Sequence, residues 1–322
     1  MHIQFLDYLA DPLTKRPLSL TIAAGKGDFV ESGFLQSDTG NYPIVRGIPR
    51  FVDFEKEDYA ASFGYQWRKW PRVQFESENK GKPMEGHTRM MWESITGVTT
   101  IPKNQVVLDI GCGPGRFVDV ARQKGAKVIG IDYSLAVEAA AKNFQNDPDV
   151  CICQADALNL PIRQSSIDAA FSVGVLHHTP NPERGVLEAV KVLKESGWLA
   201  VCVYGKSSYY DFSAVNLWRG IFKSLWPYFG HYPALIYTYC IVYGFYPFRA
   251  LPPLNKAVRI MFPYVNLPDI NWSLLDTFDS LTPTYQSTHE GHEVFGWLKK
   301  AGLREIEPTK WGPTSWRGVK IP

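Results

Sequence analysis

The sequence predicts an α/β protein built on a doubly wound, mostly parallel sheet, with a small β-rich segment before it and a helical, aromatic insertion within it. Three observations predict this. From Gln105 to Tyr204 short apolar runs alternate with stretches of helical apolar spacing, the pattern of crossover units on a parallel sheet. After Tyr204 the alternation breaks off, and it resumes only at Glu290. The opening segment, which ends in Tyr42-Pro-Ile-Val-Arg-Gly-Ile-Pro-Arg-Phe-Val52, is rich in turn residues and β-formers.

In chain order, residues 1–55 are the β-rich segment, and residues 56–103, polar with interleaved aromatics, are helices and connectors. Residues 104–204 hold the core. Val106–Ile110, Lys127–Asp132, Val150–Cys153, Ile167–Val173 and Trp198–Tyr204 are expected as strands, and Arg116–Lys124, Leu135–Phe144 and Pro182–Lys194 as helices. Residues 205–288 are the insertion. Residues 289–322 complete the core with a helix over Glu290–Gly302, stopped by its glycine, and two strands near Leu303–Pro308 and Trp316–Ile321. In such a sheet ligands bind at the carboxyl ends of the strands.

Composition narrows the function classes. The 322 residues carry 34 basic and 32 acidic side chains, a formal charge of +2. That balance makes nucleic acid an unlikely partner in this reading. Cys112, Cys151, Cys153, Cys202 and Cys240 show no disulfide pattern, so a reducing, cytoplasmic compartment is expected. The opening Met-His-Ile-Gln-Phe-Leu-Asp has no basic stretch followed by an apolar one, so no secretory signal is expected. The most apolar stretch, Pro233–Pro247, is too short to span a bilayer, which needs roughly 20 residues. A soluble or at most membrane-peripheral protein is expected.

The chemistry is concentrated in Val107-Leu-Asp-Ile-Gly-Cys-Gly-Pro-Gly-Arg116, a strand running into a glycine turn and a helix. Glycine lets the backbone approach a ligand closely. A dinucleotide loop has the spacing G-x-G-x-x-G, but here Arg116 occupies the third glycine position. Asp109 would repel a pyrophosphate and welcome an ammonium group. S-adenosylmethionine (SAM) has an ammonium, a sulfonium and no phosphate, so SAM is favoured over NAD. Asp132 ends the second strand, where a carboxylate accepts ribose hydroxyls, and Asp156 follows the third, where it suits the adenine amino group.

The run Asp-Ile-Gly-Cys-Gly-Pro-Gly-Arg, then Gly130-Ile-Asp132, Gln154-Ala-Asp-Ala157 and Phe171-Ser-Val-Gly-Val-Leu-His-His-Thr-Pro180, resembles class I SAM-dependent methyltransferases of the ubiquinone and menaquinone biosynthesis type. Glu188-Ala-Val-Lys-Val-Leu-Lys-Glu-Ser-Gly-Trp-Leu199 is similar to that family's approach to its fifth strand. The resemblance covers roughly residues 104–204 and 289–321. It implies a seven-stranded Rossmann-like sheet with an antiparallel last strand. It also implies a cofactor site of Asp109, Gly111, Cys112, Gly113, Asp132, Tyr133, Asp156, Ala157, Ser172, Val173 and Gly174.

The opening segment resembles a small zinc ribbon often joined to methyltransferases, carried by Leu6–Leu18 and Gly40–Pro49. Each knuckle of that module has a C-x-x-C pair. Here Asp11 and Thr14 stand at the first pair, the second region offers Gln36, Ser37, Asp38 and Thr39, and no cysteine precedes Cys112. Structural zinc takes thiolate or imidazole, so no metal is expected, and the segment is either a partner platform or a packing remnant.

The insertion supplies an amphipathic helix near Ser213–Trp226 with a narrow polar face of Asn216, Arg219 and Lys223. It is expected to be a core, to cover a hydrophobic acceptor through Trp218 and Trp226, or to lie on a bilayer. Tyr65 and Trp67 upstream, and Asp279, Tyr285 and Gln286 downstream, are the further acceptor candidates. His177 and His178 follow the fourth strand, where the methyl moves, and are the candidate bases. The expected function is methyl transfer to O, N or C of a hydrophobic small molecule. RNA methylation and a non-catalytic SAM-binding scaffold are the alternatives.

Overall fold

The structure is a computed structural model and describes residues 1–53, 60–248 and 251–321. The chain opens with a four-stranded antiparallel sheet in the order β1 (Ser19–Lys26), β2 (Phe29–Gln36), β3 (Asn41–Val45) and β4 (Ile48–Pro49). Helices α1 (Ala61–Lys69), α2 (Glu76–Asn79) and α3 (His87–Thr96) lead into the core.

The core alternates β5 (Val106–Ile110), α4 (Arg116–Gln123), β6 (Lys127–Asp132), α5 (Ala136–Asn143), β7 (Val150–Gln154), β8 (Ile167–Val173), α6 (Pro182–Val192) and β9 (Leu193–Cys202). Both β5 and β7 are buried along their whole length, as strands covered by helices on both faces must be. The insertion contributes α7 (Ser213–Phe229), α8 (Tyr232–Phe245), α9 (Pro252–Met261) and α10 (Ile270–Leu281). The chain ends with α11 (Gly291–Lys300), β10 (Leu303–Pro308) and β11 (Ser315–Lys320).

The large sheet has seven strands in the order β10-β11-β9-β8-β5-β6-β7. β5 pairs in parallel with both β6 and β8, and β8 in parallel with β9, whereas β11 lies antiparallel between β9 and β10. This is the Rossmann-like order of the methyltransferase fold. Winding proceeds outward from β5 through β6 to β7, then returns to the other side of β5 at β8. The cleft between the carboxyl ends of β5 and β8 is therefore the switch point where a ligand sits.

Local chemistry sets the helix starts. Asn181 accepts from Arg184 N–H with Pro182 in the first turn, Asp269 accepts from Asn271 and Trp272 N–H, and Glu290 with Glu293 forms a capping box. One boundary differs from expectation. α6 ends at Val192 rather than Lys194, because Leu193 turns extended and pairs with Ile167.

The insertion leaves and rejoins the sheet at one place, where Gly205 and His289 form a bridge. It has a core of its own, with Val215, Phe222, Ala234, Ile241 and Val242 packed on Leu274, Leu275, Phe278 and Leu281 of α10.

The opening segment does not stand apart. Phe5, Leu9, Leu35 and Ile44 share one apolar cluster with Ile129, Cys151 and Cys153. Arg50 is buried, gives Nη1 to Gln154 Oε1 at 2.8 Å and pairs with Glu138. A hydrogen-bond hub ties the segment together around Asp11. Asp11 Oδ2 accepts from Ser37 Oγ at 2.5 Å, Thr39 Oγ1 at 2.8 Å and Tyr42 Oη at 2.9 Å. Its Oδ1 accepts from the Leu13 and Thr14 N–H groups. These bonds outweigh burial and hold the carboxyl well below its usual range.

Replacing Asp11 by Ala should lower the unfolding free energy by on the order of 3 kcal/mol, since hydrogen bonds to a charged group contribute most. A depressed carboxylate stabilises above its unfolded value near about 4 and loses that contribution as pH falls further. Urea unfolding should therefore show the Asp11→Ala loss at pH 7 and little of it in strong acid; equal midpoints at pH 7 would refute the hub.

Candidate cofactor and acceptor site

The turn after β5 builds the site. Gly111 and Cys112 N–H both donate to the Ile131 carbonyl at 2.8 Å, and Gly113 N–H donates to Asp132 Oδ2 at 2.9 Å. The other oxygen of Asp132 accepts from Ser134 N–H and Oγ. Gly111 has φ +83, and a side chain there would meet Val175 at 2.3 Å, so only glycine fits.

Above this turn opens a cavity of about 560 Å³, within the size range of small-molecule sites. Gly111, Cys112, Gly113, Asp132, Tyr133, Ala157, Val173 and Gly174 line it. Three of the expected cofactor residues lie outside its wall. Asp109 is buried beneath the turn, Ser172 donates to the Ile110 carbonyl at 3.0 Å, and Asp156 accepts from Leu158 N–H at 2.8 Å while Ala155 and Ala157 face the cavity.

The residues present fit SAM. Asp109 Oδ2 is buried with no hydrogen-bond partner among the described residues. Burial, and then the charge of Asp132, raise its pKa, with Arg116 opposing. A cation brought to this end of the cavity relieves both costs. Asp132 offers a carboxylate for ribose hydroxyls, and Trp67 closes the turn from above, its Nε1 3.1 Å from where a Gly113 side chain would stand.

The two histidines separate. His178 lines the cavity, and its Nδ1 lies 2.9 Å from the Tyr285 carbonyl. A carbonyl only accepts, so Nδ1 carries the proton and Nε2 keeps its lone pair. Burial lowers the His178 pKa, so the ring is neutral at pH 7. His177 lies outside the cavity wall. It stacks on Tyr204 with ring centroids 3.7 Å apart and accepts from Tyr204 N–H at 3.3 Å, which is a packing role.

The expected acceptor residues also divide. Trp67 and Asp279 line the cavity. Tyr65 packs on Phe278 and His231 instead, Tyr285 contributes its carbonyl to His178 while its side chain is exposed, and Gln286 is outside the wall. Trp218 and Trp226 are corrected more fully, because α10 lies between their helix and the cavity. Trp218 packs 4.4 Å from Tyr237 and donates to the Met261 carbonyl, and Trp226 donates to His231.

Sequence reasoning passed over Arg116, Tyr204, Tyr210 and Asp276, all in the wall. Asp276 precedes Asp279 by one helical turn, a spacing that was legible. Gln74 donates to Asp276 at 3.2 Å and Gln66 to Asp279 at 2.7 Å. Burial and the neighbouring Asp279 push the Asp276 pKa up to about 7, with Arg116 opposing. Tyr204 and Tyr210 stack at 3.6 Å, and Tyr204 donates to Asp279 at 3.3 Å.

Comparison with known proteins agrees with this geometry. Residues 108–201 match the family described as methyltransferase domain. A tRNA (carboxymethyluridine(34)-5-O)-methyltransferase, ALKBH8, of Macaca fascicularis is 26% identical over 209 residues, covering 56% of this chain and 31% of that protein. An uncharacterised methyltransferase of Mycobacteroides abscessus is 27% identical over 226 residues, covering 67% of this chain and 77% of that protein. A probable tRNA methyltransferase 9B of Mus musculus is 36% identical over 102 residues, covering 31% of this chain and 22% of that protein. The chain thus spans less than a third of the two tRNA-methyltransferase relatives.

The chain carries a class I methyltransferase domain whose cofactor is SAM. The expectation that nucleic acid is an unlikely partner is overturned by the tRNA methyltransferases among its relatives. Net charge sums over the whole chain and is silent about a local group of cations or a base entering an aromatic cavity.

Two outcomes follow. Asp132→Ala should weaken SAM binding at least tenfold, about 1.4 kcal/mol, as read by calorimetry; an unchanged affinity removes Asp132 from the site. Asp276→Asn should stabilise the fold. The raised pKa means the folded state keeps a proton between about pH 4, the ordinary carboxylate value, and about pH 7. Stability from this group is therefore greatest in acid and declines as pH rises through that window. The melting-temperature gain of Asp276→Asn should be near zero at pH 4 and clear at pH 8.

Proposed function

We propose that the protein transfers the methyl group of SAM to an O, N or C atom of a small acceptor with an apolar body. The acceptor sits in the part of the cavity walled by Tyr204, Tyr210, Trp272, Asp276 and Asp279. The observation that carries this reading is the meeting, in one cavity, of the glycine turn with an aromatic and carboxylate wall that the cofactor chemistry does not require.

Bound SAM supplies a methyl group on a sulfonium, open to direct displacement. The chain's own work is alignment and proton handling. Phe63, Trp67 and Trp311 crowd the cavity and keep water out. The stacked tyrosines give the acceptor a flat apolar wall, and Asp276 and Asp279 hold its polar handle. Where the acceptor arrives as a hydroxyl, His178 Nε2 takes its proton as the new bond to the methyl carbon forms; where it arrives as an ammonium, Nε2 takes the proton first and frees the lone pair that attacks. In both cases the methyl C–S bond breaks as the new bond forms, and S-adenosylhomocysteine leaves. A reducing, cytoplasmic setting accords with five free cysteines, four of them buried.

The tRNA methyltransferases among the relatives favour a second reading, in which an RNA base enters the same cavity. Incubation with methyl-labelled SAM and a cell extract split into organic-soluble and tRNA fractions separates the two. Label in the organic fraction supports the first, label in tRNA the second, and none in either sinks both.

With the acceptor so found, His178→Gln should lower turnover by roughly 10²-fold or more with SAM affinity unchanged. Wild-type turnover should fall on acidification, as the neutral ring becomes protonated, and the variant should lose that acid limb. A variant with full turnover and an unchanged pH profile would strip His178 of this role.

A further inference from the structure

The insertion separates apolar from acidic residues to an extent the rest of the chain does not. From Phe212 to Pro268 there is no Asp or Glu, although the chain has 32, and there are five Lys or Arg. Thirteen of the twenty strongly exposed large apolar side chains among the described residues fall between Phe212 and Phe262.

They form stripes. On α7, Val215 and Phe222 are buried, while Leu217 (63% exposed), Ile221 and Tyr228 (80%) follow at helical spacing on the opposite side. On α8, Ala234, Thr238, Ile241 and Val242 face inward, and Tyr232, Ile236 (61%) and Tyr243 face outward. On α9, Ile260 and Met261 are each 66% exposed. Because α7 and α8 both pack their inner sides on α10, their outer stripes point the same way, away from the cavity. A surface helix of a soluble domain normally turns charged residues outward.

We propose that this outer face of α7 and α8, with α9 joined to it through the Trp218–Met261 hydrogen bond, docks on an anionic lipid surface. Exposed Lys223 and Lys256 supply the positive charge, joined by Lys69, whose Nζ lies 5.5 Å from the Tyr239 ring. No carboxylate between Phe212 and Pro268 opposes them. Aliphatic side chains enter the acyl boundary, and tyrosines, apolar in body and polar at the tip, match the headgroup level. An RNA surface fits less well. RNA needs many phosphate-binding cations and flat stacking faces, whereas Leu217, Ile221, Ile236 and Ile260 have no such face. No described helix is long and apolar enough to cross a membrane, so the contact is with one leaflet. Docking there sets the layer beyond α7 and α8, which themselves rest on α10, the helix that carries Asp276 and Asp279 into the cavity.

The test uses the full chain, flotation with vesicles of phosphatidylcholine alone or mixed equally with phosphatidylglycerol, and a thermal scan with a SAM-binding check on each variant. The expected result is binding to the mixed vesicles, weakened by high salt. The pair Ile221→Glu and Ile236→Glu should reduce it at least tenfold, as should Lys223→Glu with Lys256→Glu. All four positions are exposed, so melting temperature and SAM affinity should hold. No vesicle binding overturns the proposal, as does equal binding to neutral and anionic vesicles. It is also overturned if the apolar pair abolishes self-association of a chain that ignores lipid, or if the lysine pair abolishes RNA binding while vesicles are ignored.

Discussion

The site depends on the tether between the carboxyl ends of β5 and β6. Gly111, Cys112 and Gly113 give their N–H groups to Ile131 and Asp132, so the turn that leaves one strand is held by the end of its neighbour. This places Asp132 in the cavity wall with its second oxygen fixed by Ser134. It also forces the positive φ that leaves Gly111 no room for a side chain beside Val175. The switch in winding opens the cleft, and the tether gives that cleft a floor of defined shape.

The cavity and its immediate surroundings are electrostatically unfavourable by themselves. Asp109, Asp132 and Asp276 all have raised pKa values, with burial the largest cause in each. Arg116 opposes the shift at Asp109 and Asp276, yet no carboxylate lies within ion-pair distance of it among the described residues. A protein selected for stability alone would neutralise such groups or pair them closely. A cationic or hydroxyl-rich ligand would offset that strain, which is the electrostatic side of the cofactor site proposed above. The Asp11 hub follows the opposite logic. Three hydroxyls and two N–H groups converge on one carboxylate, which satisfies it within the fold.

Much of this was legible because it is periodic or local. The core strands are continuous apolar runs, the helices carry spaced apolar faces, and the glycine turn declares itself by composition. What escaped was decided by tertiary contact. Adjacent His177 and His178 are equivalent in sequence, and the Tyr285 carbonyl and the Tyr204 amide, from distant segments, give them different tautomers and surroundings. Trp218 and Trp226 look like lid residues until α10 is placed beneath them. Tyr204 and Tyr210 gain meaning only once the chain folds back between them to stack their rings. Asp276 shared a helical face with Asp279, but nothing in the sequence set that face toward β5 and β8.

Net charge was the least informative number, and the reason is physical. A total of +2 over 322 residues is what remains after opposite local excesses cancel. The carboxylates crowd the core, its strand ends and the opening segment, while the insertion between Phe212 and Pro268 has none. Screening confines a surface charge to about 8 Å at physiological salt, so an approaching ligand or surface meets the local composition and never the sum. α10 is where the two compositions meet. Its buried side receives the carboxylate-free helices, and its other face carries Asp276 and Asp279 into the cavity. α10 thus joins the packing of α7 and α8 to the cavity wall, whereas the glycine turn is held separately by the β5–β6 tether.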